Sequence, residues 1–388
     1  MASEHINLGT IGMAGLVGVP YSLKFLWAPL MDRYLPPFLG RRTGWMLISQ
    51  LALIFSIGAM GFFDPSKGLW LTIIAAFMVA FFSASQDIVV DAYRTDLLDA
   101  KERGPGAALY IAGYRIAILV SGALALFMAD QMPWKTVYIV MALTMLVGVG
   151  AALLAPQPTG GHKPPQSLKD AVVLPFIEFF SRRGAWEVLL FILIYKIDVV
   201  MATALTTPFL MTLDFTKTQI AAVFKVFGLL ATIGGTLFGG AMMVRLGMKR
   251  SLWFFGITQG ISGLSFMALA HLGSVYPVLL LNRTEQLYPM MVFAIAAENF
   301  CSGMGTAAYS AFIMSLCNKK FSATQYALLT SIMALTRTMG AAPTGYMVQA
   351  MGWERFFLLA TLIAIPSLLM LLRYDRWQQL DEAPAIAK

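Results

Sequence analysis

Apolar runs of about 20 residues, the length that a helix needs to cross the hydrocarbon core of a bilayer, recur along the whole chain. The composition agrees, since 58% of the 388 residues are hydrophobic, 12% are charged and the mean hydropathy is +0.72. No soluble domain of this size has such a composition, so we predict an all-α polytopic membrane protein. We place eleven spans, at residues 9–31, 44–63, 69–91, 107–129, 134–155, 186–210, 218–243, 251–272, 288–316, 324–349 and 354–372.

The basic residues predict how these spans are oriented. One set of alternating loops holds most of them: Arg33, Arg41, Arg42, Arg94, Lys101, Arg103, Lys163, Lys169, Arg182, Arg183, Arg245, Lys249, Arg250, Lys319, Lys320, Arg373, Arg376 and Lys388. The opposite set holds Lys67, Lys135, Lys217, Arg283 and Arg355. Cytoplasmic loops are enriched in Lys and Arg, so we assign the first set and the C-terminus to the cytoplasm. The net charge of +8 therefore indicates topology, and not nucleic-acid binding.

A Pro- and Gly-rich connection divides the chain. It is followed by a short amphipathic segment, which we predict to lie on the membrane surface. The predicted organisation is an N-terminal bundle, a cytoplasmic linker, a C-terminal bundle and a cytoplasmic tail, at residues 1–155, 156–185, 186–373 and 374–388.

The two bundles contain related segments. Tyr114-Arg115 before Gly122 resembles Thr336-Arg337 before Gly345. Two repeated helical halves around a site near the membrane midplane are typical of secondary transporters.

Several classes of activity lack a motif in this sequence. There is no Gly-rich phosphate-binding loop with Lys-Ser/Thr and no arrangement typical of a hydrolase nucleophile. Cys301 and Cys317 fall within one apolar helix, and the three histidines are scattered. We therefore predict no enzyme activity, disulfide framework, metal site or cofactor.

Ionisable residues inside membrane spans mark substrate or ion pathways. Burial favours the protonated form of a carboxylate, so buried acids can carry protons between the two faces. The proton-coupling candidates are Asp87, Asp91, Asp198 and Glu298. Asp87 and Asp91 are four residues apart and so share one helical face. The alternatives are structural ion pairs or, for these two aspartates, a solvated helix end.

Cations in the spans can hold an anionic substrate, and aromatic rings can pack on sugars. The candidates are Lys24, Lys196, Lys225 and Arg115 among the cations, and Trp27, Tyr93, Tyr114 and Tyr195 among the aromatic residues. Such aromatic residues also serve as core or interface anchors. Lys196 and Asp198 are two residues apart and do not share a helical face. Glycines such as Gly235 and Gly239 have the small-xxx-small spacing of closely packed helices.

Three stretches carry a family resemblance: Lys24-Phe-Leu-Trp-Ala-Pro-Leu-Met-Asp-Arg-Tyr34, Ser83-Ala-Ser-Gln-Asp-Ile-Val-Val-Asp-Ala92 and Glu298-Asn-Phe-Cys-Ser-Gly-Met-Gly-Thr306. With them the chain resembles, over nearly its whole length, the AmpG muropeptide permeases of the major facilitator superfamily. The resemblance adds Gln86 and Asn299 to the substrate-binding candidates. The loop with Asp32, Arg33, Gly40, Arg41 and Arg42 looks like a stretched form of the cytoplasmic gating motif of the superfamily.

The resemblance implies a bacterial inner-membrane importer of N-acetylglucosaminyl-1,6-anhydro-N-acetylmuramyl peptides. It implies symport with protons, peptidoglycan recycling and, in some bacteria, β-lactamase induction. The expected partners are the muropeptide, protons and the bilayer, for a monomer that binds no nucleic acid. The alternatives are an acetyl-CoA-type carrier of the same fold and a receptor that senses muropeptides without moving them.

The chain departs from the family pattern at its start. Members of the family have a further helix before the one predicted at residues 9–31. We therefore expect a start upstream of Met1, or else an inactive product.

Overall fold

A computed structural model describes residues 18–63, 69–158, 164–275 and 283–378 of the chain. Every regular element in these ranges is a helix. Up to the linker the α-helices are Val19–Leu23, Ala28–Arg33, Arg41–Met60, Leu69–Leu97, Arg103–Ile118, Ala125–Ala129, Trp134–Thr144, Leu146–Leu154 and Leu168–Phe180. After it they are Ala185–Ile194, Ile197–Ala204, Thr206–Thr212, Lys217–Val223, Leu229–Val275, Arg283–Leu316, Ser322–Ala341, Thr344–Leu362, Ala364–Met370 and Tyr374–Gln378.

Among the described residues, 7 helices are long and apolar enough to cross a membrane. They are Arg41–Met60, Trp70–Leu97, Arg103–Ala129, Trp134–Leu154, Ala185–Thr212, Lys217–Ser274 and Thr344–Trp377. All-helical architecture is thus confirmed. The predicted span 288–316 and most of the predicted span 324–349 fall on helices outside this set, and the span predicted at 9–31 lies partly outside the described residues. The total of eleven stays a prediction.

Two glycines interrupt long helices. Lys217–Ser274 has 58 residues, about 87 Å of continuous helix, which is far longer than one membrane crossing. Gly247 breaks it, with φ 74° and ψ 169°, so that the predicted spans 218–243 and 251–272 become separate helices. Gly352 breaks the later helix in the same way, with φ 76° and ψ 170°. This backbone region is open essentially to glycine alone.

The chain forms two compact units, and each unit takes segments from both halves of the sequence. The first unit contains residues 1–98, 116–178 and 316–331, and the second contains residues 99–115, 179–315 and 332–388. In the first unit, small side chains such as Ala28, Ala92 and Ala323 form the core. The core of the second unit combines aliphatic side chains with phenylalanine rings, and Phe209 and Phe357 are in contact at 4.9 Å between ring centroids. The predicted bundle boundaries stay a prediction.

The linker contains the predicted amphipathic segment as the helix Leu168–Phe180. Ala171 and Phe179 are buried, whereas Leu168, Val172 and Ile177 are exposed. The helix therefore presents an apolar face. Its position on a membrane surface stays a prediction.

Candidate functional site

Lys24 is the centre of a charged cluster in the first unit. It lies in a short 3₁₀ turn that separates the helices Val19–Leu23 and Ala28–Arg33. Its Nζ donates to Asp87 Oδ2 at 2.7 Å and lies 3.8 Å from Asp91 Oδ2. Arg94 donates a hydrogen bond to the other oxygen of Asp91. The two aspartates therefore share a helical face, as predicted, and that face meets a buried lysine.

Polar and aromatic groups of the Ser83–Ala92 stretch extend this cluster. Trp27 Nε1 donates to Ser85 Oγ at 3.0 Å, and the indole packs on Phe81 at 4.9 Å between ring centroids. Ser49 Oγ donates to Gln86 Oε1 at 2.6 Å. Trp27 thus directly follows the 3₁₀ turn that carries Lys24, and Gln86 lies on the helix that carries Asp87.

The predicted gating loop forms a second, deeply buried network in the first unit. Arg42 is 2% exposed; its Nη2 donates to Asp32 Oδ1 at 2.8 Å and its Nε donates to Asp96 Oδ2 at 2.7 Å. The same Nη2 reaches Ser322 Oγ at 2.7 Å. Arg41 supports the network through backbone carbonyls of Asp32 and Lys319. One guanidinium therefore joins two carboxylates and a hydroxyl.

Asp32 also binds the beginning of the helix Ser322–Ala341. Its Oδ2 accepts hydrogen bonds from the backbone N–H of Thr324 at 2.8 Å and from Thr324 Oγ1 at 2.7 Å. Its Oδ1 accepts from the N–H of Ala323 at 3.3 Å. A carboxylate is stabilising there, because the first N–H groups of a helix lack intrahelical partners and carry positive partial charge.

The other gating candidates lie beside this network. The Arg33 guanidinium lies 5.7 Å from the centre of the Tyr34 ring. Gly40 precedes the helix Arg41–Met60, where a Cβ would lie 2.1 Å from Gln157 Oε1. Gly40 therefore makes room for Gln157.

The second unit holds a comparable cluster where a membrane helix is interrupted. The helices Ala185–Ile194 and Ile197–Ala204 are separated by a turn at Tyr195 and Lys196. In a continuous helix, Lys196 and Asp198 would point to different faces. The turn changes the relative directions of the two side chains. Interrupted helices with free backbone groups mark the binding sites of many transporters.

Gln259 connects the charged groups of this cluster. Lys196 Nζ donates to Gln259 Oε1 at 2.7 Å and to the carbonyl oxygen of Ser302 at 3.1 Å. The Gln259 amide in turn donates to both carboxylate oxygens of Asp198, each at 3.0 Å. A Cβ on Gly305 would lie 2.5 Å from Gln259 Oε1. The absence of a side chain at Gly305 is therefore what leaves room for the amide.

Glu298 lies beside the same groups, and a small cavity of about 10 Å³ separates some of them. The cavity is lined by Asp198, Gln259, Glu298 and Thr361 together with small and apolar residues. Glu298 is 3% exposed. Within the described part of the chain, neither Glu298 Oε1 nor the Thr361 hydroxyl has a hydrogen-bond partner. Two buried polar atoms thus lack a partner at one cavity.

The remaining candidates are placed differently. Tyr195 is 1% exposed, stacks on Tyr309 and donates to the carbonyl oxygen of Leu252 at 2.9 Å, so it belongs to the packed core. Tyr114 and Lys225 are exposed.

Two further candidates lie nearer to the second cluster. Arg115 acts electrostatically on Lys196. Asn299, the residue after Glu298, accepts a hydrogen bond from Thr232 Oγ1 at 3.0 Å.

Several residues of these clusters escaped the sequence reasoning. Asp96 lies in a loop after the predicted span 69–91, but in the structure its side chain is 6% exposed and accepts a hydrogen bond from Arg42. Gln259 and Thr361 are neutral polar residues inside apolar segments. Such residues are missed when site candidates are sought only among charged side chains. Arg94 lies three residues after Asp91, which is the spacing of a helical ion pair.

No group of His, Cys, Asp and Glu in the described ranges could hold a metal ion. Neither Cys301 nor Cys317 forms a disulfide bond in the part of the chain that the structure describes.

Comparison with known proteins places these clusters in a transporter fold. The sequence model of the Major Facilitator Superfamily matches residues 2–282. Anhydromuropeptide permease of Escherichia coli K12 is 46% identical over 375 residues, which cover 96% of this chain and 74% of that protein. AmpG 1 of Rickettsia bellii is 30% identical over 386 residues, covering 96% of this chain and 91% of that protein.

Two solved structures have the same fold. The human organic anion transporter MFSD10 superposes with a TM-score of 0.65 at 15% identity, covering 92% of this chain and 83% of that one. The proton:xylose symporter XylE superposes with a TM-score of 0.66 at 10% identity, covering 96% and 88%.

Proposed function

Because the chain belongs to the Major Facilitator Superfamily and to its AmpG-type muropeptide permeases, we propose that it imports anhydromuropeptides from the periplasm with protons. It is a multi-pass protein of the bacterial inner membrane, and its named relatives are permeases and transporters, not enzymes. The substrates would be N-acetylglucosaminyl-1,6-anhydro-N-acetylmuramyl peptides. The proton gradient would drive their uptake without a cofactor.

The observation that carries the proposal is a lysine in each unit that lies at a break between two helices and is held among polar groups. Lys24 in the first unit is buried and Lys196 in the second is partly buried, and both amines donate hydrogen bonds to polar side chains. Charged groups inside a membrane protein are costly and are retained where they bind ions or substrate. The peptide carboxylates of a muropeptide would bind these amines, and Arg115 would add a third positive charge. Trp27 would offer an apolar face to a sugar ring.

The buried network around Arg42 supports a gate on the cytoplasmic side. Asp32 caps the helix Ser322–Ala341 through three hydrogen bonds. In a transport cycle these bonds would break together when the cytoplasmic end opens, and they would re-form when it closes. The network would thus keep the substrate path closed to the cytoplasm during loading.

The test is uptake into proteoliposomes that contain only this protein. Radiolabelled anhydromuropeptide should accumulate when the outside is acidic and should equilibrate without accumulation when the gradient is collapsed. Labelled acetyl-CoA serves as the competing substrate. Accumulation of acetyl-CoA instead would favour the carrier alternative, and muropeptide binding without any uptake would favour a receptor.

The cellular role is a separate part of the proposal. Import would return cell-wall fragments to the cytoplasm for peptidoglycan recycling and, in bacteria with an inducible enzyme, would trigger β-lactamase production. A strain that lacks its muropeptide permease should recover both recycling of labelled fragments and induction when it expresses this chain. An Arg42→Met variant, expressed at the same level, should restore neither.

A further inference from the structure

The two charged clusters differ in how well their carboxylates are paired. In the first unit, Lys24 contacts both Asp87 and Asp91, and Arg94 contacts Asp91 as well. Two cations therefore face two carboxylates. Each carboxylate has a positive partner, and an opposite charge within about 4 Å favours the ionised form of an acid.

In the second cluster an amide, and not a cation, bonds directly to the carboxylate of Asp198. Lys196 bonds to Gln259 and a carbonyl oxygen, and the amide of Gln259 bonds to both oxygens of Asp198. The charged groups that act on Glu298 are Lys196 and Asp198, one of each sign. Arg115 acts on Lys196. Asp198 thus receives the available donors, and Glu298 Oε1 receives none from the described residues.

An isolated buried carboxylate is costly, and such a group takes up a proton when no cation or donor compensates it. Glu298 Oε1 has no donor among the described residues, and Glu298 is 3% exposed and lies in the middle of the helix Arg283–Leu316, with Lys196 as a partial offset to its charge. Protonation gives it a hydroxyl that can donate. The neighbouring cavity presents possible acceptors in Asp198 and Thr361.

The size of this cavity restricts what it can hold. A volume of about 10 Å³ is close to the lower limit for one water molecule, and a buried water needs two to four polar partners. Glu298, Thr361, Asp198 and Gln259 supply such partners. A sugar or a peptide does not fit.

We propose that Glu298 carries the transported proton and that one water in this cavity passes the proton to and from it. The inference rests on the proposed function and deepens it, because it selects one of the four candidate acids. In the loaded protein Glu298 is neutral. After the proton leaves for the cytoplasm, the Glu298 carboxylate is offset in part by Lys196. The empty, deprotonated protein then returns to the periplasmic side, where the next proton binds.

The test compares wild-type protein with Glu298→Gln in proteoliposomes. Glutamine has the shape of the protonated acid but cannot release a proton. A gradient of about one pH unit supports about tenfold accumulation for one proton per substrate. Wild type should approach that level, whereas Glu298→Gln should reach none, although it should still exchange labelled for unlabelled substrate. Glu285→Gln, the same change at an exposed position of the same helix, should behave as wild type.

A second measurement covers the case in which Glu298→Gln loses exchange as well. Substrate is added to purified protein in a weakly buffered solution with a pH-sensitive dye. Wild type should take up a proton on binding, and Glu298→Gln should bind without uptake. Gradient-driven accumulation by Glu298→Gln, or proton uptake on binding, would overturn the assignment. Failure of the wild type itself to transport muropeptide would instead contradict the proposed function, on which the assignment depends.

A separate variant tests the role of the proposed water. Thr361→Val keeps the side-chain shape but removes the hydroxyl that lines the cavity. Gradient-driven uptake should become slower while substrate exchange keeps its rate. Equal slowing of both, or of neither, would remove the water from the proposal.

Discussion

Arg42 shows how much one side chain can contribute when its partners are buried. It is 2% exposed, and it contacts Asp32, Asp96 and Ser322. Removing one partner of a buried pair leaves an uncompensated charge and costs about 3–5 kcal/mol. Arg42→Met should therefore lower the melting temperature in detergent strongly. Arg42→Lys should lower it less, because an ammonium keeps the charge but lacks the fork that spans both carboxylates. Equal melting of the two variants would contradict this account.

A substitution at Gly305 tests the Lys196–Gln259 hydrogen bond of the second cluster. Its missing side chain leaves room for Gln259, since a Cβ would lie 2.5 Å from Oε1 of Gln259 and 3.3 Å from Nζ of Lys196. Gly305→Ala should displace that amide and reduce uptake severalfold, with protein yield close to normal. In Gly345→Ala the new Cβ meets nothing within 4 Å, so uptake there should not change. Normal transport by Gly305→Ala would show that the Lys196–Gln259 bond is dispensable.

At the scale of elements, glycines determine how closely two helices of the second unit approach. A Cβ on Gly235 would lie 2.0 Å from the carbonyl oxygen of Phe300, and one on Gly239 would lie 2.8 Å from Met304 Cα. The close packing predicted from the glycine spacing is confirmed. The obstacle is backbone, so Gly235→Ala should destabilise the protein by about 1–3 kcal/mol. Thermal melting checks this against Gly113→Ala, where the added Cβ has open space.

The helix breaks are a second property of elements. Gly247 adopts φ 74° and ψ 169°, a conformation that costs other residues about 1–3 kcal/mol. No atom lies within 4 Å of a Cβ built there, so the penalty of Gly247→Ala is conformational and not steric. Its melting temperature should fall, and Gly247→Asn should lose a similar amount, because the tolerance of asparagine for positive φ is mostly confined to the left-handed helical region, where ψ is about +30 to +60°. An unchanged melting temperature in both variants would contradict this account.

At the scale of the whole molecule, the basic loops predict which side each connection occupies. An alkaline phosphatase fused after residue 131 should be active, because the enzyme needs the periplasm, and a fluorescent protein fused after residue 131 should be dark. Fusions after residue 160 should give the opposite result. Replacing Arg41 and Arg42 would disturb the buried network, so the charge rule is better tested with Lys101→Gln and Lys169→Gln, both at exposed side chains.

Much of this molecule could be predicted because a bilayer imposes length and polarity on every span. The apolar runs therefore located helices such as Trp134–Leu154 and Ala185–Thr212. The turn at Lys196 could not be predicted, since the sequence around it stays apolar and lacks proline. The burial of Asp96 was missed for another reason. Its partners Arg42 and Ser322 lie 54 and 226 residues away in sequence, and no local pattern reports such distances.

The single-residue break at Gly247 also bears on how the protein is made. The helices before and after it are joined by one non-helical residue, and consecutive Cα atoms are only about 3.8 Å apart. Because no flexible linker connects the two helices, the first therefore cannot insert into the bilayer while the second remains in water. The two would have to leave the insertion machinery as one hairpin, with Arg245, Lys249 and Arg250 at its tip. Those charges would stay on the cytoplasmic side and so prevent the hairpin from inserting in the opposite orientation.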